Sequence, residues 1–132
     1  MTIINIIEKM KEQNISRINI FNINSTELTN PITLDLCKPY IIDSYGSKKN
    51  FSPNDFISDG WEVYNNNIAE LLLKLTEFEG GVRKVESDSY RNMENSKING
   101  FVYDFVNFAD KACESLKLES KKITEEFFEG RE

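Results

Sequence analysis

The feature that most constrains the fold is a long run of apolar residues near the end of the chain, spaced as on one face of an α-helix. The residues recur every three or four positions, apart from one skipped turn: Ile98, Phe101, Phe105, Phe108, Ala112, Leu116, Ile123 and Phe127. This spacing predicts one amphipathic helix over residues 98–128, about 45 Å long at about 1.5 Å per residue. A compact domain of this size is about 36 Å across. We therefore expect the helix to be longer than its own domain.

The end of this helix carries large apolar side chains at a place where chains usually fray. Ile123, Phe127 and Phe128 lie there among several glutamates. Given the length of the helix, we expect these three residues to contact a second subunit or a partner protein. This predicts a homo-oligomer, most simply a dimer, formed through the C-terminal helix. The alternative is that the three residues pack on the sheet or helices of their own domain.

The first half of the chain predicts a short helix followed by a small sheet. Thr2 can cap the helix, and Asn14 can end it in a left-handed turn. Residues 16–24 and 32–36 alternate as strands do, and residues 40–42 provide a third apolar stretch after a proline. In the first strand the alternation slips, which indicates either a bulge or a strand covered on both faces.

The middle of the chain predicts a loop and then two helices. Residues 43–50 form the loop, and Ser52, followed by Pro53 and Asp55, starts a short helix with a capping box. The next helix has a stripe that steps by three or four: Trp61, Tyr64, Ile68, Leu71, Leu75 and Phe78. A pair of glycines, residues 80 and 81, is expected to end it. Residues 82–97 fit either a weak helix or a hairpin.

Together these segments predict an α+β fold: a short N-terminal helix, an antiparallel sheet of about three strands, and then helices, including the long C-terminal amphipathic helix. A length of 132 residues favours one domain over residues 1–132. Residues 1–57 would form the first helix and the small sheet, and residues 58–132 would be mainly helical. The first part has six basic and six acidic side chains, whereas the second has ten and sixteen, so the second carries the whole net charge of −6.

This charge distribution limits the partners that the protein can bind. An acidic surface repels phosphate, which argues against direct binding of nucleic acid and against docking on an anionic membrane. The sequence shows neither a signal peptide nor an apolar run of membrane-spanning length, so we expect a cytoplasmic protein. The chain is rich in Asn and Ile, with fifteen of each. Because their codons are AT-rich, the composition is typical of a low-GC bacterium, its phages or its mobile elements.

The residue types argue against most catalytic chemistry. The chain has no histidine and no phosphate-binding glycine loop, and its two cysteines, Cys37 and Cys113, lie far apart in sequence. We therefore assign no catalytic residue, no cofactor and no metal. One enzyme hypothesis stays open, since Asp55, Asp59 and Glu62 would share a face of an unbroken helix and could hold a cation. The same acids also occupy capping positions, and we favour that role.

The leading functional hypothesis is a non-catalytic interaction protein: an inhibitor, immunity-type or anti-defence factor that occludes a protein partner. Glu62, Glu70 and Glu77 would form an acidic line opposite the Trp61 stripe. Such a line favours a partner with a basic surface, because opposite potentials speed and select the encounter.

The second hypothesis is a protein that binds or sequesters a nucleotide or metabolite. Its pocket would lie between the sheet and the helices, with aromatic walls and basic anchors. The residues predicted to line it are Trp61, Tyr64, Phe101, Phe105, Lys48 and Arg83.

Overall fold

The structure, a computed structural model, describes residues 1–25, 28–91 and 96–129. Within these ranges the chain forms four helices and five strands, in the order α1 (Ile3–Glu12), β1 (Arg17–Asn22), β2 (Ile32–Asp35), β3 (Ile41–Ile42), β4 (Lys48–Lys49), α2 (Pro53–Ile57), β5 (Trp61–Val63), α3 (Asn66–Arg91) and α4 (Ser96–Glu129).

The first helix forms as its sequence predicts. The Thr2 side chain accepts a hydrogen bond from the backbone N–H of Asn5 at 3.2 Å, which satisfies one of the donors that a helix start leaves open. Asn14 has a φ of 56°, the left-handed conformation expected just beyond the helix end. The apolar side of α1 is fully buried against the sheet through Ile3, Ile6 and Met10.

All five strands belong to one antiparallel sheet with the order β4-β3-β2-β1-β5. β1 is the longest strand and lies between β2 and β5, with Ile18 opposite Leu34 and Ile20 opposite Val63. The predicted α+β class and the long C-terminal helix are confirmed, but the predicted number of about three strands is too low. Two short strands were missed, β4 and β5.

The first missed strand, β4, lies in the segment predicted to be a loop. The Asp43 side chain accepts hydrogen bonds from the backbone N–H groups of Tyr45 and Ser47, both at 2.9 Å. Gly46, with a φ of 85°, supplies the left-handed residue that a tight turn needs. The chain therefore reverses within residues 43–47, and Lys48 and Lys49 pair with β3.

The second missed strand corrects the predicted start of the second helix. Trp61, Glu62 and Val63 are all buried and pair with β1, so these three residues are strand rather than helix. Gly60 allows this close approach, because a Cβ there would lie 2.6 Å from side-chain atoms of both Asn22 and Asn24. Asp59 and Glu62 have the spacing of a helix start, but this local pattern contains no information about the unpaired edge of β1.

α3 starts five residues later than predicted and passes through both glycines. The Asn65 side chain accepts from the N–H of Ile68 at 3.1 Å, next to the helix start at Asn66. Gly80 and Gly81 keep helical geometry, and the helix continues to Arg91, so the predicted glycine stop is wrong. Of residues 82–97, the described ones are helical, which excludes a hairpin for them; residues 92–95 lie outside the described part of the chain.

Two apolar clusters lie on opposite sides of the sheet, so β1 is covered on both faces. Ile18 and Ile20 pack with α1, and Phe21 packs with Ile68 and Leu72 of α3. This accounts for the slip in the alternation of β1 as a strand between two layers, one of the two predicted alternatives.

The C-terminal helix α4 has 34 residues, which is roughly 50 Å of helix. Its last turns pack on the sheet, and its first half packs alongside α3 as an antiparallel helical hairpin. Among the helices that the structure describes, none combines the length and apolarity needed to cross a membrane.

Candidate functional site

The helical hairpin formed by α3 and α4 exposes large apolar side chains along one side. On α4, Phe101, Phe105 and Phe108 are 63, 49 and 64% exposed, and on α3, Leu71 and Phe78 are 49 and 43% exposed. Within each helix these residues are spaced by three, four or seven positions, so they share a side of that helix. We call these five residues the aromatic face.

The two halves of the aromatic face meet across the hairpin. The rings of Phe78 and Phe105 lie edge to face, with their centroids 6.0 Å apart. Such aromatic pairs are favourable but leave the outward surfaces of the rings uncovered. The two helices therefore present one continuous apolar surface rather than two separate stripes.

The contact between α3 and α4 explains why this surface stays exposed. Val102 and Ala109 of α4 are buried. They lie one position after Phe101 and Phe108, and one position in a helix is a rotation of about 100°. The aromatic face therefore lies about a quarter turn around α4 from the buried residues that contact α3. Near the other end of α4, Thr124 accepts a hydrogen bond from the backbone of β5 and Phe128 joins the cluster between α1 and the sheet. Leu116 and Ile123 pack on the cluster at the other side of the sheet.

The opposite side of the hairpin has an open groove of about 420 Å³, bordered by residues 23–25 and 28 after β1. Buried Ile23, Leu28 and Leu72 line its apolar part. Its polar part includes three carboxylates, from Glu79, Asp110 and Glu114. We call this the acidic groove. Glu114 follows Phe105 by nine residues, or two and a half turns, so the two side chains leave α4 in opposite directions.

The basic and thiol groups of the acidic groove already have defined surroundings. Lys117 Nζ donates to the side-chain oxygen of Asn24 at 3.2 Å. Glu79 pairs at 2.9 Å with Arg83, which lies one turn farther along α3 and does not line the groove. Burial raises the pKa of the Cys113 thiol, Glu79 and Asp110 raise it further, and Lys117 opposes them. The thiol therefore stays protonated near neutral pH, which suits packing better than nucleophilic attack.

The predicted acidic line of Glu62, Glu70 and Glu77 does not exist as one surface. Glu70 and Glu77 are exposed on α3, whereas Glu62 is buried in β5. The Glu62 carboxylate lies 3.5 Å from the ammonium group of Met1, which also donates to the carbonyl oxygens of Asp59 and Trp61. A buried carboxylate requires a compensating charge, which the Met1 ammonium group provides. Glu62 is therefore part of the interior of the fold and not of a binding surface.

The three acids of the enzyme hypothesis are also separated. Asp55 forms the predicted capping box with Ser52, whose backbone N–H donates to the Asp55 carboxylate at 2.9 Å. Asp59 lies between α2 and β5, and Glu62 faces the N-terminus, so no helix face unites them. Across residues 1–25, 28–91 and 96–129, no group of three acidic or cysteine side chains is placed to hold a metal ion.

The predicted small-molecule pocket is dispersed over the molecule. Trp61 is buried, stacks on Phe51 at 5.5 Å, and donates its indole N–H to the carbonyl of Asp55. Phe105 precedes the part of α4 that contacts β5 by 19 residues, or roughly 28 Å of helix. Phe101 is farther still.

The remaining predicted pocket residues have other neighbours. Lys48 lies over the ring of Tyr40, 4.9 Å from its centroid, on the edge strand farthest from β5. Tyr64 contacts Phe21 edge to face and donates its hydroxyl to Asn66 at 3.0 Å. Burial, and secondarily Glu70, raises the pKa of Tyr64.

The end of α4 packs on its own chain. Phe128 is only 2% exposed and belongs to the cluster between α1 and the sheet. Phe127 is half-buried against Phe128, with ring centroids 5.3 Å apart, and Ile123 is half-buried against the cluster on the other side of the sheet. The part of α4 that extends beyond the sheet is therefore its first half, and its C-terminal end is packed.

Phe101 and Phe105, predicted to line a pocket, lie on the exposed aromatic face instead, and the exposure of Phe108, Phe78 and Leu71 is not predicted from the sequence. A signal was present, because α4 has Val102 and Ala109 beside the phenylalanines, giving an apolar sector wider than one helix can bury.

Comparisons of the chain with protein families, with curated proteins and with solved structures found no match.

Proposed function

We propose that this protein is a non-catalytic interaction protein and that the aromatic face is its protein-binding surface. The observation that carries this proposal is the clustering of five large, half-exposed apolar side chains on one side of a helical hairpin. At about 200 Å² for a whole aromatic side chain, the four phenylalanines alone expose on the order of 400 Å². Contiguous apolar patches of this size commonly mark interaction sites.

The charge of the protein supports a role in recognition. Residues 58–132 carry the net charge of −6, and the acidic groove adds local carboxylates on the side opposite the aromatic face. An inhibitor, immunity-type or anti-defence protein that occludes a basic partner in the cytoplasm fits these properties, because complementary charge accelerates and orients encounter.

The test is a pull-down from source cells with the wild-type chain and a Phe105→Asp, Phe108→Asp double variant. Charges in the middle of the aromatic face should abolish any protein contact made there, because interface centres tolerate buried charge poorly. Tyr103→Asp is the matched control, since Tyr103 is an aromatic residue of the same helix, 71% exposed, and leaves α4 on the other side. If the double variant and the wild type capture the same proteins and self-associate equally, the aromatic face is not the binding surface.

A second candidate function, binding of a small ligand, is favoured by the acidic groove. Its volume of about 420 Å³ is within the range of ligand sites, and its carboxylates suit an organic cation beside an apolar wall. Spermidine and arginine amide are suitable probes. A rise in Tm with either probe, lost in a Glu79→Gln, Asp110→Asn, Glu114→Gln variant, would support this function. An unchanged Tm would eliminate it for these two cations.

A further inference from the structure

We propose that the aromatic face is covered by a second copy of this chain, with the two helical hairpins stacked antiparallel about a twofold axis as a four-helix bundle. This inference rests on the proposed function, since it names the partner of the same surface. It differs from a dimer formed through the C-terminal end of α4, because Phe128 is already buried in its own domain.

Charges beside the aromatic face are self-complementary on α4. Asp104 and Lys111 are exposed, seven residues apart, and lie on the outer margin of the face. In an antiparallel pair of α4 helices related by a twofold axis, contacts are reciprocal. An axis that passes between residues 107 and 108 places each Asp104 opposite the Lys111 of the second copy. The middle of the stripe from Phe101 to Ala112 lies within one residue of this axis, or about 1.5 Å.

An independent pair on α3 locates the same axis. Lys74 lies on the outer margin of the face, and Glu77 lies farther out on the same side of α3. Both are exposed and have opposite charges, so their reciprocal pairing requires a twofold axis between residues 75 and 76. The contact between Phe78 and Phe105 sets the relative height of the two antiparallel helices. On α3, the axis position between residues 75 and 76 lies two and a half residues from Phe78 in the direction of the sheet. On α4, the position between residues 107 and 108 lies the same distance from Phe105 in the same direction. The two positions are therefore at the same height, and one straight axis passes through both.

The area of the aromatic face matches what a dimer needs. Two copies would bury on the order of 800 Å² of phenylalanine surface alone. The aliphatic residues and the polar rim would bring the total above the roughly 1,000 Å² expected of a specific interface. Phe105 and Phe108 would lie at its centre, where aromatic side chains contribute most of the binding energy.

The glycines of α3 support a close neighbour. Glycine inside a helix lowers stability relative to alanine, yet among the described residues a Cβ at Gly81 would meet nothing within 4 Å. Gly81 follows Phe78 by three residues and so borders the aromatic face. The absence of a side chain there lets a helix of the second copy approach α3 closely.

The test is analytical ultracentrifugation of the full chain over a range of concentrations. We expect a monomer–dimer equilibrium whose Kd rises about tenfold or more in Phe105→Asp and is unchanged in Tyr103→Asp. A wild-type chain that stays monomeric at all concentrations, or a dimer insensitive to Phe105→Asp, would overturn the inference. If the wild type is monomeric but loses a cellular partner in the Phe105→Asp, Phe108→Asp variant, the second copy is excluded and the proposed function survives.

Charge reversal tests the antiparallel arrangement without altering the apolar core. Asp104→Lys and Lys111→Asp should each weaken the dimer about two- to fivefold at low salt, because each places like charges opposite one another twice. The double variant Asp104→Lys, Lys111→Asp should restore the wild-type Kd. Failure of the double variant to restore binding would rule out the reciprocal antiparallel contact. Circular dichroism of the variants, whose changed side chains are exposed, verifies that they fold.

Discussion

Val63 and Thr124 are 61 positions apart, and the backbone N–H of Val63 donates a hydrogen bond to Oγ1 of Thr124 at 3.0 Å in the interior. The same hydroxyl donates to the carbonyl of Ser120 one turn earlier in α4. One side chain thus joins the edge of the sheet to the last turns of the long helix. Since β5 is an edge strand, this bond also satisfies a backbone donor that no further strand could pair.

Replacing Thr124 by Val should destabilise the fold by about 1–3 kcal/mol, because the buried Val63 N–H loses its acceptor while the volume stays similar. Urea unfolding followed by circular dichroism measures the loss. Thr124→Ser keeps the hydroxyl and serves as the control, with a smaller decrease. Equal stability of Thr124→Val and the wild type would mean that this hydrogen bond does not contribute.

Phe128→Ala should cost about 3–5 kcal/mol, the usual penalty for removing a fully buried aromatic side chain. Phe127→Ala should cost clearly less, because Phe127 is only half-buried at the edge of the same cluster. Denaturant midpoints of the two variants provide the comparison. Similar, small effects of both changes would indicate that the helix end is frayed rather than packed.

Substitution of glycine by alanine should raise the stability of the fold at Gly80 and lower it at Gly60. Gly80→Ala should stabilise the fold by about 0.5–1 kcal/mol, since alanine is the better helix former and a Cβ there meets no atom of the described chain within 4 Å. Gly60→Ala should destabilise it, because the new Cβ would displace the side chains of Asn22 and Asn24. Asn22 also bonds to Ser58 at 3.0 Å, and that contact would be disturbed. Thermal unfolding of both variants distinguishes the signs.

The raised pKa of Cys113 predicts a loss of stability at alkaline pH. Because burial favours the neutral thiol, the folded chain keeps this proton to higher pH than the unfolded chain. Its contribution is complete below the ordinary pKa of 9.0 and is lost as the pH rises from there through the folded-state pKa. Denaturant midpoints measured from pH 7 to pH 10 should therefore fall less in Cys113→Ser than in wild type.

Alkylation gives a direct check of the same thiol. Iodoacetamide at pH 8 should modify exposed Cys37 faster than half-buried Cys113, as single-cysteine variants would report. Equal rates at both positions would contradict the raised pKa.

Local signals in the sequence determined several elements of the fold. The Thr2 cap, the capping box of Ser52 and Asp55, and the period of α4 each depend on residues within one or two turns of each other. Such contacts form between near neighbours whatever the rest of the chain does, so the sequence alone is enough to recognise them.

The tertiary structure decided the rest. Trp61 has the spacing of a helix residue but becomes a strand because β1 offers an unpaired edge. Gly80 stays helical because α3 packs along α4. Phe128 and Phe105 both belong to the α4 stripe, yet only Phe128 reaches the sheet, and Phe105 is left on the aromatic face. Periodicity specifies which side of a helix is apolar, but burial depends on which distant element lies opposite, and that is set only when the whole chain has folded.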